Sequence, residues 1–333
     1  MGIRTSTKRI VSGGRAAALA FAVAAFGILP GAAAAAEFPE DTLRIIVPWR
    51  AGGGTDTIAR AFAASMEELV DQAVVVENLT AGTGTAGMMA VKKAEPDGHT
   101  MLLTGSSDLN TPIIFRSTPY ALDDYACAGA FYNTPTWALA HKDQGLVTLG
   151  DFIDRAKAQP GELTIGVGSL ASAHYVMAAA IVGNNGIDVR IIPFDGGGPL
   201  KKALIGNQVT MGVIHSPVLL NEVKDGLIVP LAAGGDMANI NHPPVRDLPH
   251  IETYNTPIEV GTIRGIYLPK TTPDETRAEV EALVKRAAEN DAFRAFGESF
   301  GFAPVWMSGE QYCGHLRSEQ AQFRDIKAKF IDN

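Results

Sequence analysis

The stretch of sequence best suited to chemistry is a glycine-rich loop between an apolar run and an amphipathic segment. Residues 43–47 are mostly apolar and β-branched, and they are followed by Trp49, Arg50 and the run Gly52-Gly53-Gly54-Thr55-Asp56. From about Thr55 onward a large apolar residue recurs at every fourth position, which predicts a helix with Thr55 or Asp56 as its N-cap. The free N–H groups and the dipole of a helix N-terminus favour an anion, and glycine lets a ligand approach the backbone. We therefore expect an anion-binding loop here, with an ordinary strand-to-helix turn as the alternative.

Four more loops of glycine and hydroxyl-bearing residues lie where predicted strands end, and a histidine ends a further strand. Ligands of α/β sheets collect at the carboxyl ends of the strands, so these residues are candidates for the same site. The candidates are Thr83, Gly84 and Thr85; Ser106 and Ser107; Ser169, Ala171, Ser172 and His174; Asp195, Gly196 and Gly197; and His215. For the two histidines, a local hydrogen bond is the alternative to ligand contact.

The elements that must position these loops alternate between strands and helices along most of the chain. The predicted strands cover residues 43–47, 73–78, 99–103, 137–141, 163–167, 189–194, 211–215, 227–233 and 261–268. This alternation is typical of an α/β protein in which each lobe has a largely parallel sheet flanked by helices. Residues 234–257 are irregular and predict surface loops, whereas residues 273–288 and 311–330 predict long helices.

Three other kinds of chemistry fit the sequence less well. The glycines at 82, 84 and 87 match a dinucleotide fingerprint, but they follow the second strand and the next strand does not end in the required acid. A nucleophilic Ser169 in a strand-to-helix elbow would need glycine at position 171, which is alanine. The seven histidines are scattered and form no zinc-ligand pair. We predict no catalytic residue, no metal and no cofactor.

The N-terminus has the three parts of a secretory signal. Four basic residues within the first fifteen precede an apolar run at 16–29, and three alanines at 34–36 offer a cleavage site. The run is short for a membrane span, which disfavours a retained anchor. Removing residues 1–36 takes four positive charges from a chain whose net charge is −8. The exported protein is therefore acidic, which argues against a nucleic-acid partner.

The chain has two cysteines, Cys127 and Cys313. Two thiols can pair in an oxidising compartment, but their spacing does not show whether they are neighbours in the fold. A disulfide and two buried free thiols are both open at this point.

The order and spacing of these motifs resemble the Bug family, the periplasmic substrate-binding proteins of tripartite tricarboxylate transporters. The similarity includes Ile46-Val47-Pro48-Trp49 with the 52–56 run, Val75-Val76-Glu77-Asn78 and Pro96-Asp97-Gly98, and it extends through 160–174, 192–199 and 206–209 to the C-terminal helices. It implies a type II-like, two-lobe periplasmic-binding-protein fold with two chain crossings. It also implies that the lobes close by a hinge on a small organic acid, which the loops listed above surround with backbone amides and hydroxyls.

The resemblance further implies the domain limits and two departures from the family pattern. Residues 1–36 would be the signal, residues 37–137 plus 260–333 lobe 1, and residues 138–259 lobe 2. Arg50 stands where small residues or proline are usual, which predicts an additional partner for a carboxylate. Residues 235–255 match the family poorly, which predicts an unusual substrate.

Our leading hypothesis is a periplasmic, non-catalytic, monomeric solute-binding protein. It would capture a di- or tricarboxylate or an aromatic acid, with one carboxylate on the amides near residues 53–56 and another group on residues 169–172. It would deliver this ligand to the membrane permease of a tripartite tricarboxylate-type transporter. The alternatives are a ligand-sensing partner of a membrane receptor and an exported hydrolase or lyase that uses Ser169 or Ser172 with His174, for which no convincing third acid is evident.

Overall fold

The computed structural model describes residues 38–215, 218–235, 237, 240, 243–300 and 305–332. The predicted secretory signal lies outside these residues. The strands are β1 (Leu43–Val47), β2 (Val74–Asn78), β3 (Thr100–Gly105), β4 (Tyr125–His141), β5 (Thr164–Val167), β6 (Arg190–Pro193), β7 (Met211–His215), β8 (Ile228–Ala233) and β9 (Gly261–Pro269). The helices are α1 (Gly54–Glu67), α2 (Thr85–Lys92), α3 (Ser106–Phe115), α4 (Leu149–Ala158), α5 (Ala173–Asn185), α6 (Gly197–Ile205), α7 (Leu220–Lys224), α8 (Pro243–Arg246), α9 (Asp274–Ala288), α10 (Asp291–Phe300) and α11 (Gly309–Phe330).

The strands form two half-sheets that share the long strand β4. In the first half, which we call lobe 1, β1 pairs in parallel with β2 and β3, and β9 pairs antiparallel with β3 and with residues 125–135 of β4. In the second half, lobe 2, β5 pairs in parallel with β6 and β7, while residues 136–141 of β4 pair antiparallel with β7 and β8. Each lobe thus combines three parallel strands with antiparallel partners, and one strand runs through both.

Helices cover both faces of each half-sheet with large apolar side chains. On one face of lobe 1, α1, α9 and α10 bury a cluster in which the rings of Phe62 and Phe131 stack with centroids 3.8 Å apart. The opposite face packs against α2, α3 and the first half of α11. In lobe 2, α4 and α5 cover one face, and α6 and α7 cover the other. Burial of these faces, at roughly 25 cal/mol per Å² of apolar surface, is the main force that holds the layers together.

Two segments of chain cross between the lobes side by side. The first is β4 near Thr136, whose N–H donates to the carbonyl of Val260 at 3.2 Å; the second is the returning chain before β9. The Thr136 carbonyl in turn accepts from the N–H of Gly234 at 2.8 Å. These backbone bonds fix the register of the two crossings at the junction. The limits of the two lobes given above from the resemblance stay a prediction.

Helix α11 lies across both lobes. Its first half places Tyr312 and Leu316 in the lobe 1 core, and its second half places Phe323 and Ile326 in the lobe 2 core. A cavity of about 160 Å³ lies between this helix and the crossing segments, lined by Asn133, Gly235, Glu259, Gly261, Ile263, His315, Ser318, Glu319 and Gln322. The two lobes are therefore connected by packing as well as by the chain.

Cys127 of β4 and Cys313 of α11 form a disulfide, with their Cα atoms 5.8 Å apart. This settles the alternative that the sequence left open. The bond ties the first half of α11 to the lobe 1 part of β4, across a sequence separation of 186 residues.

Most of the predicted elements are present, and the differences have local causes. β4 begins at Tyr125 rather than at residue 137, and α3, α7 and α10 are helices that the sequence pattern did not predict. The irregular stretch after β8 contains the short helix α8. The predicted N-cap of α1 was wrong: Gly53 is the N-cap, and the helix begins at Gly54. No helix within the described ranges combines the length and the apolar character needed to cross a membrane.

Candidate functional site

The loop before α1 is held in place by the carboxylate of Asp56. This carboxylate accepts hydrogen bonds from the N–H of Gly52 at 2.8 Å, from Nδ2 of Asn78 at 2.9 Å and from Nε of Arg60 at 3.0 Å. Burial would raise the pKa of Asp56, but the hydrogen bonds from Arg60, Gly52 and Asn78 outweigh it and keep the pKa below its usual value. Because its oxygens are occupied, Asp56 positions the loop instead of offering a free acceptor.

The backbone at the start of α1 is open to a ligand. A Cβ atom built on Gly54 meets nothing within 4 Å, and Gly52 has a positive φ of 78° that favours glycine. The first N–H groups of a helix have no partner within the helix. Arg50 is exposed beside this loop. The loop therefore leaves backbone groups and one cation exposed, and the anion-binding role of residues 49–56 stays a prediction.

The loop that contains Thr83, Gly84 and Thr85 packs against the loop before α1. A Cβ atom on Gly84 would lie 3.0 Å from the carbonyl oxygen of Pro48, so a close approach of two backbones explains this glycine. Thr85 donates its hydroxyl to the carbonyl of Gly82 at 2.8 Å, and Thr83 is exposed. The glycine pattern here therefore has a packing role whether or not a ligand touches the loop.

The end of β3 also reaches this region, but one of its two serines is directed elsewhere. Trp49 donates its Nε1–H to Oγ1 of Thr104 at 3.3 Å, which joins the first loop to β3. The Ser106 hydroxyl donates to Glu319 at 2.8 Å and accepts from the N–H of Ile263 at 3.2 Å. Ser107 is buried at the second position of α3. The hydroxyl of Ser106 is thus committed to α11 and β9.

In lobe 2, the serines of the loop before α5 bond within their own loop. Ser172 is the N-cap of α5; its Oγ accepts from the N–H of Tyr175 at 3.3 Å and donates to the carbonyl of Ser169 at 2.7 Å. Oγ of Ser169 accepts from the N–H of Ala171 at 3.3 Å. These bonds give the loop its shape and set the start of α5.

The second lobe 2 loop joins the first through the backbone. The N–H of Gly196 donates to the carbonyl of Gly168 at 2.8 Å, and Gly196 adopts a positive φ of 94°. Asp195 is exposed, and Gly197 begins α6. The two predicted ligand loops of lobe 2 are therefore neighbours, as expected from their positions at strand ends.

Arg264 of β9 is a buried cation at the junction of the lobes, and the sequence analysis missed it. The residue is 7% exposed. Its Nε donates to Oγ1 of Thr55 at 3.3 Å, and its Nη1 donates to Oγ1 of Thr134 at 2.5 Å. The available signal was an arginine inside an otherwise apolar strand, which is rare unless the charge has a use.

A line of polar side chains follows Thr134 along β4 to Thr136 and continues from there into lobe 2. Oγ1 of Thr136 lies 2.9 Å from Nδ1 of His215, and the backbone N–H of His215 donates to Nε2 of His174 at 3.1 Å. The two imidazole rings are 4.3 Å apart. We call this line the inter-lobe floor; it consists of Thr55, Arg264, Thr134, Thr136, His215 and His174.

Both histidines of the floor are neutral at physiological pH. Burial lowers the pKa of His174 to about 4, and its Nε2 must be unprotonated because it accepts a hydrogen bond. Burial also lowers the pKa of His215 well below its usual value, and the neighbouring imidazole of His174 and the charge of Arg264 act in the same direction. The floor therefore carries one permanent positive charge, that of Arg264.

Two lobes, each with a mixed sheet between helix layers, joined by two crossings and with loops meeting at the strand ends, define the periplasmic-binding-protein class. The solved structures with this fold include a TctC solute binding protein from Polaromonas, at TM-score 0.76 and 23% identity, covering 88% of this chain and 100% of that one. Another is Rpa4515 of R. palustris with adipate, at TM-score 0.75 and 23% identity, covering 88% and 98% of the two chains. At this identity the likeness shows the fold.

The family follows from the sequence comparison. Residues 58–330 match the family described as "Tripartite tricarboxylate transporter family receptor", so the chain belongs to this family of solute-binding proteins. Protein BugT of Bordetella pertussis is 26% identical over 289 residues, which are 85% of this chain and 87% of that protein. A UPF0065 protein of Cupriavidus necator is 26% identical over 299 residues, 89% and 90% of the two chains. The resemblance noted from the motifs is thereby confirmed.

Proposed function

We propose that this protein captures a small carboxylate between its lobes and delivers it to the membrane permease of a tripartite tricarboxylate-type transporter. The observation that carries the proposal is the buried guanidinium of Arg264, bonded to the first turn of α1 and to a crossing strand. A buried cation and a free helix N-terminus side by side favour a carboxylate. Family membership supports the role in transport, and the relative crystallised with adipate supports the ligand class.

In this proposal the protein binds its ligand without altering it chemically. In the described part of the chain, the hydroxyls of Ser169 and Ser172 bond to their own loop, and Nε2 of His174 accepts from a backbone N–H of His215. A serine nucleophile needs its base within hydrogen-bond reach. These contacts disfavour the hydrolase alternative, and the exposed loops at the strand ends suit capture and release.

The proposed setting is the periplasm, with the protein as a monomer after removal of residues 1–36. The support comes from the signal-like sequence and from the periplasmic solute-binding proteins that share the fold. N-terminal sequencing of protein released from the periplasm of cells that express the full chain tests this directly. Size-exclusion chromatography with light scattering tests the monomer.

The central experiment is a thermal-shift screen of this periplasmic protein against mono-, di- and tricarboxylates, aromatic acids and neutral sugars. A ligand that binds only the native state adds about 2.7 kcal/mol at 100 times its Kd, which gives a clear shift. Stabilisation by acids but not sugars, with the acid recovered unchanged, is the expected result. Stabilisation by no acid, after copurified ligand is removed, would contradict the proposal, and consumption of the acid would replace it with an enzyme.

A further inference from the structure

The two sides of the site differ in charge. On the lobe 1 side stand Arg264 and the exposed Arg50, and the carboxylate of Asp56 is already occupied. On the lobe 2 side the described residues present Asp195 and the half-exposed side chain of Leu170. We propose, resting on the carboxylate-binding function above, that the ligand is a monocarboxylate whose charged group binds Arg264 and whose uncharged end lies on lobe 2.

Among the described residues, the guanidinium of Arg264 has no counter-ion at contact distance. Its hydrogen-bond partners, Thr55 and Thr134, are neutral hydroxyls. Over the part of the chain that is described, no carboxylate lies within 4 Å of its nitrogens. Asp108 interacts electrostatically with Arg264, but its carboxyl group accepts its hydrogen bond from the backbone N–H of Gly105. Burial raises the pKa of Asp108 and so favours its uncharged form. A guanidinium left without a counter-ion at 7% exposure is costly, and a ligand carboxylate would remove this cost.

The described loops of lobe 2 at the strand ends contain no equivalent charge. Burial lowers the pKa of both His174 and His215, and Nε2 of His174 accepts a hydrogen bond from the backbone N–H of His215, so neither ring supplies a positive charge. Lys201 of α6 is nearest in the chain to the loops, but its Nζ pairs with Glu222 at 2.8 Å and with the carbonyl of Val218 at 2.9 Å. Among the described residues of these loops, a second carboxylate would therefore find no cation.

The same side offers favourable contacts to an uncharged group. Leu170, 50% exposed, and Val218, 39% exposed, are apolar surfaces on the two segments that follow β5 and β7. Asp195 repels a second carboxylate but accepts a hydrogen bond from a hydroxyl or an amine. Discrimination between ligands then comes partly from repulsion at the far end, a common means of specificity.

The test is isothermal titration calorimetry on protein isolated from the periplasm, with pairs of acids matched in size. We expect hexanoate to bind at least about tenfold more tightly than adipate, and benzoate at least about tenfold more tightly than terephthalate. Equal or tighter binding of the diacids would overturn the inference and leave the carboxylate-binding function intact. Binding of neither member of either pair, nor of any other acid, would overturn both.

Variants locate the two ends of the ligand. Arg264→Gln should weaken hexanoate binding by about tenfold or more, with partial recovery in Arg264→Lys, because an ammonium keeps the charge but not the fork of donors. Arg44→Gln, which removes an exposed arginine paired with Glu77, is the matched control and should bind as the parent does. Asp195→Asn should narrow the ratio between hexanoate and adipate. If Asp195→Asn left the ratio of hexanoate to adipate affinity unchanged and Arg264→Gln left the hexanoate affinity unchanged, the placement of the two ligand ends would be refuted. If Arg264→Gln does not fold, the affinity ratio measured on the parent protein still decides whether the ligand is a monocarboxylate.

Discussion

Replacing Asp56 by alanine should loosen the first loop and destabilise lobe 1. The change removes the acceptor for the N–H of Gly52, for Nδ2 of Asn78 and for Nε of Arg60. A hydrogen bond to a charged group contributes about 1.5–3 kcal/mol, whereas an ion pair as exposed as that of Arg60 contributes at most about 1 kcal/mol. Gly52 is exposed and can bond to water, so we expect a total loss of about 3 kcal/mol and a several-fold weaker affinity for the acid found in the screen.

The pH dependence of stability provides an independent test of the role of Asp56. The folded-state pKa of Asp56 is below the unfolded value, so its stabilisation is complete above the unfolded pKa and is lost as the pH falls through the folded value. Urea unfolding followed by circular dichroism at pH 7, and at steps below about pH 4, should therefore show a smaller acid-induced loss in Asp56→Ala than in the parent.

A matched control separates the network from the mere loss of a carboxylate. Asp154 is an exposed residue of α4, and Asp154→Ala should change the free energy of unfolding by less than about 0.5 kcal/mol. If Asp56→Ala also lost less than about 1 kcal/mol and kept the acid response of the parent, the reasoning that this carboxylate organises the loop would be refuted.

Three further changes test other parts of the fold. Replacing Cys127 and Cys313 by serine should lower the stability by about 2–5 kcal/mol, since the bond closes a long loop; an unchanged urea midpoint would speak against it. Gly183→Ala places its Cβ against the phenyl ring that ends α11 and should lower the stability of the protein by about 1–3 kcal/mol. Gly314→Ala, on the open face of α11, should raise the stability by up to about 1 kcal/mol. Equal shifts of the melting temperature in the two variants would show that packing at α11 does not decide the effect. Burial raises the pKa of Glu319 to about 8, so between about pH 4.5 and pH 8 the folded state keeps a proton that the unfolded state releases, and stability should fall as the pH rises. The plot of stability against pH should be flatter in Glu319→Gln. Identical plots for the variant and the parent would show that this carboxyl titrates normally.

The sequence predicted best what local patterns determine. The strand at residues 43–47, the glycine loop after it and the helix that follows all result from periodicity and turn residues. The N-cap of α1 was misplaced by two or three residues because a glycine with extended backbone takes the position that Thr55 or Asp56 would ordinarily take. β4 was shortened because a glycine, an asparagine and a proline interrupt its apolar pattern.

What the sequence could not predict depends on residues far apart in the chain. Arg264 meets Thr134, which is 130 residues away, and the Ser106 hydroxyl meets Glu319, which is 213 residues away. No local period encodes such contacts, so Arg264 was missed and the Ser106 hydroxyl was expected to contact a ligand. For the same reason, the sequence could not decide between a disulfide and two free thiols.

The cavity behind the crossing strands has a use that does not involve the ligand. Both crossing segments and α11 line it, so any rotation of one lobe relative to the other must change its volume. Ser318 lies on its wall, on a helix that the disulfide fastens to lobe 1. The fluorescence of a small environment-sensitive dye attached at Ser318 should therefore change with the angle between the lobes. The label would leave the predicted ligand loops unmodified.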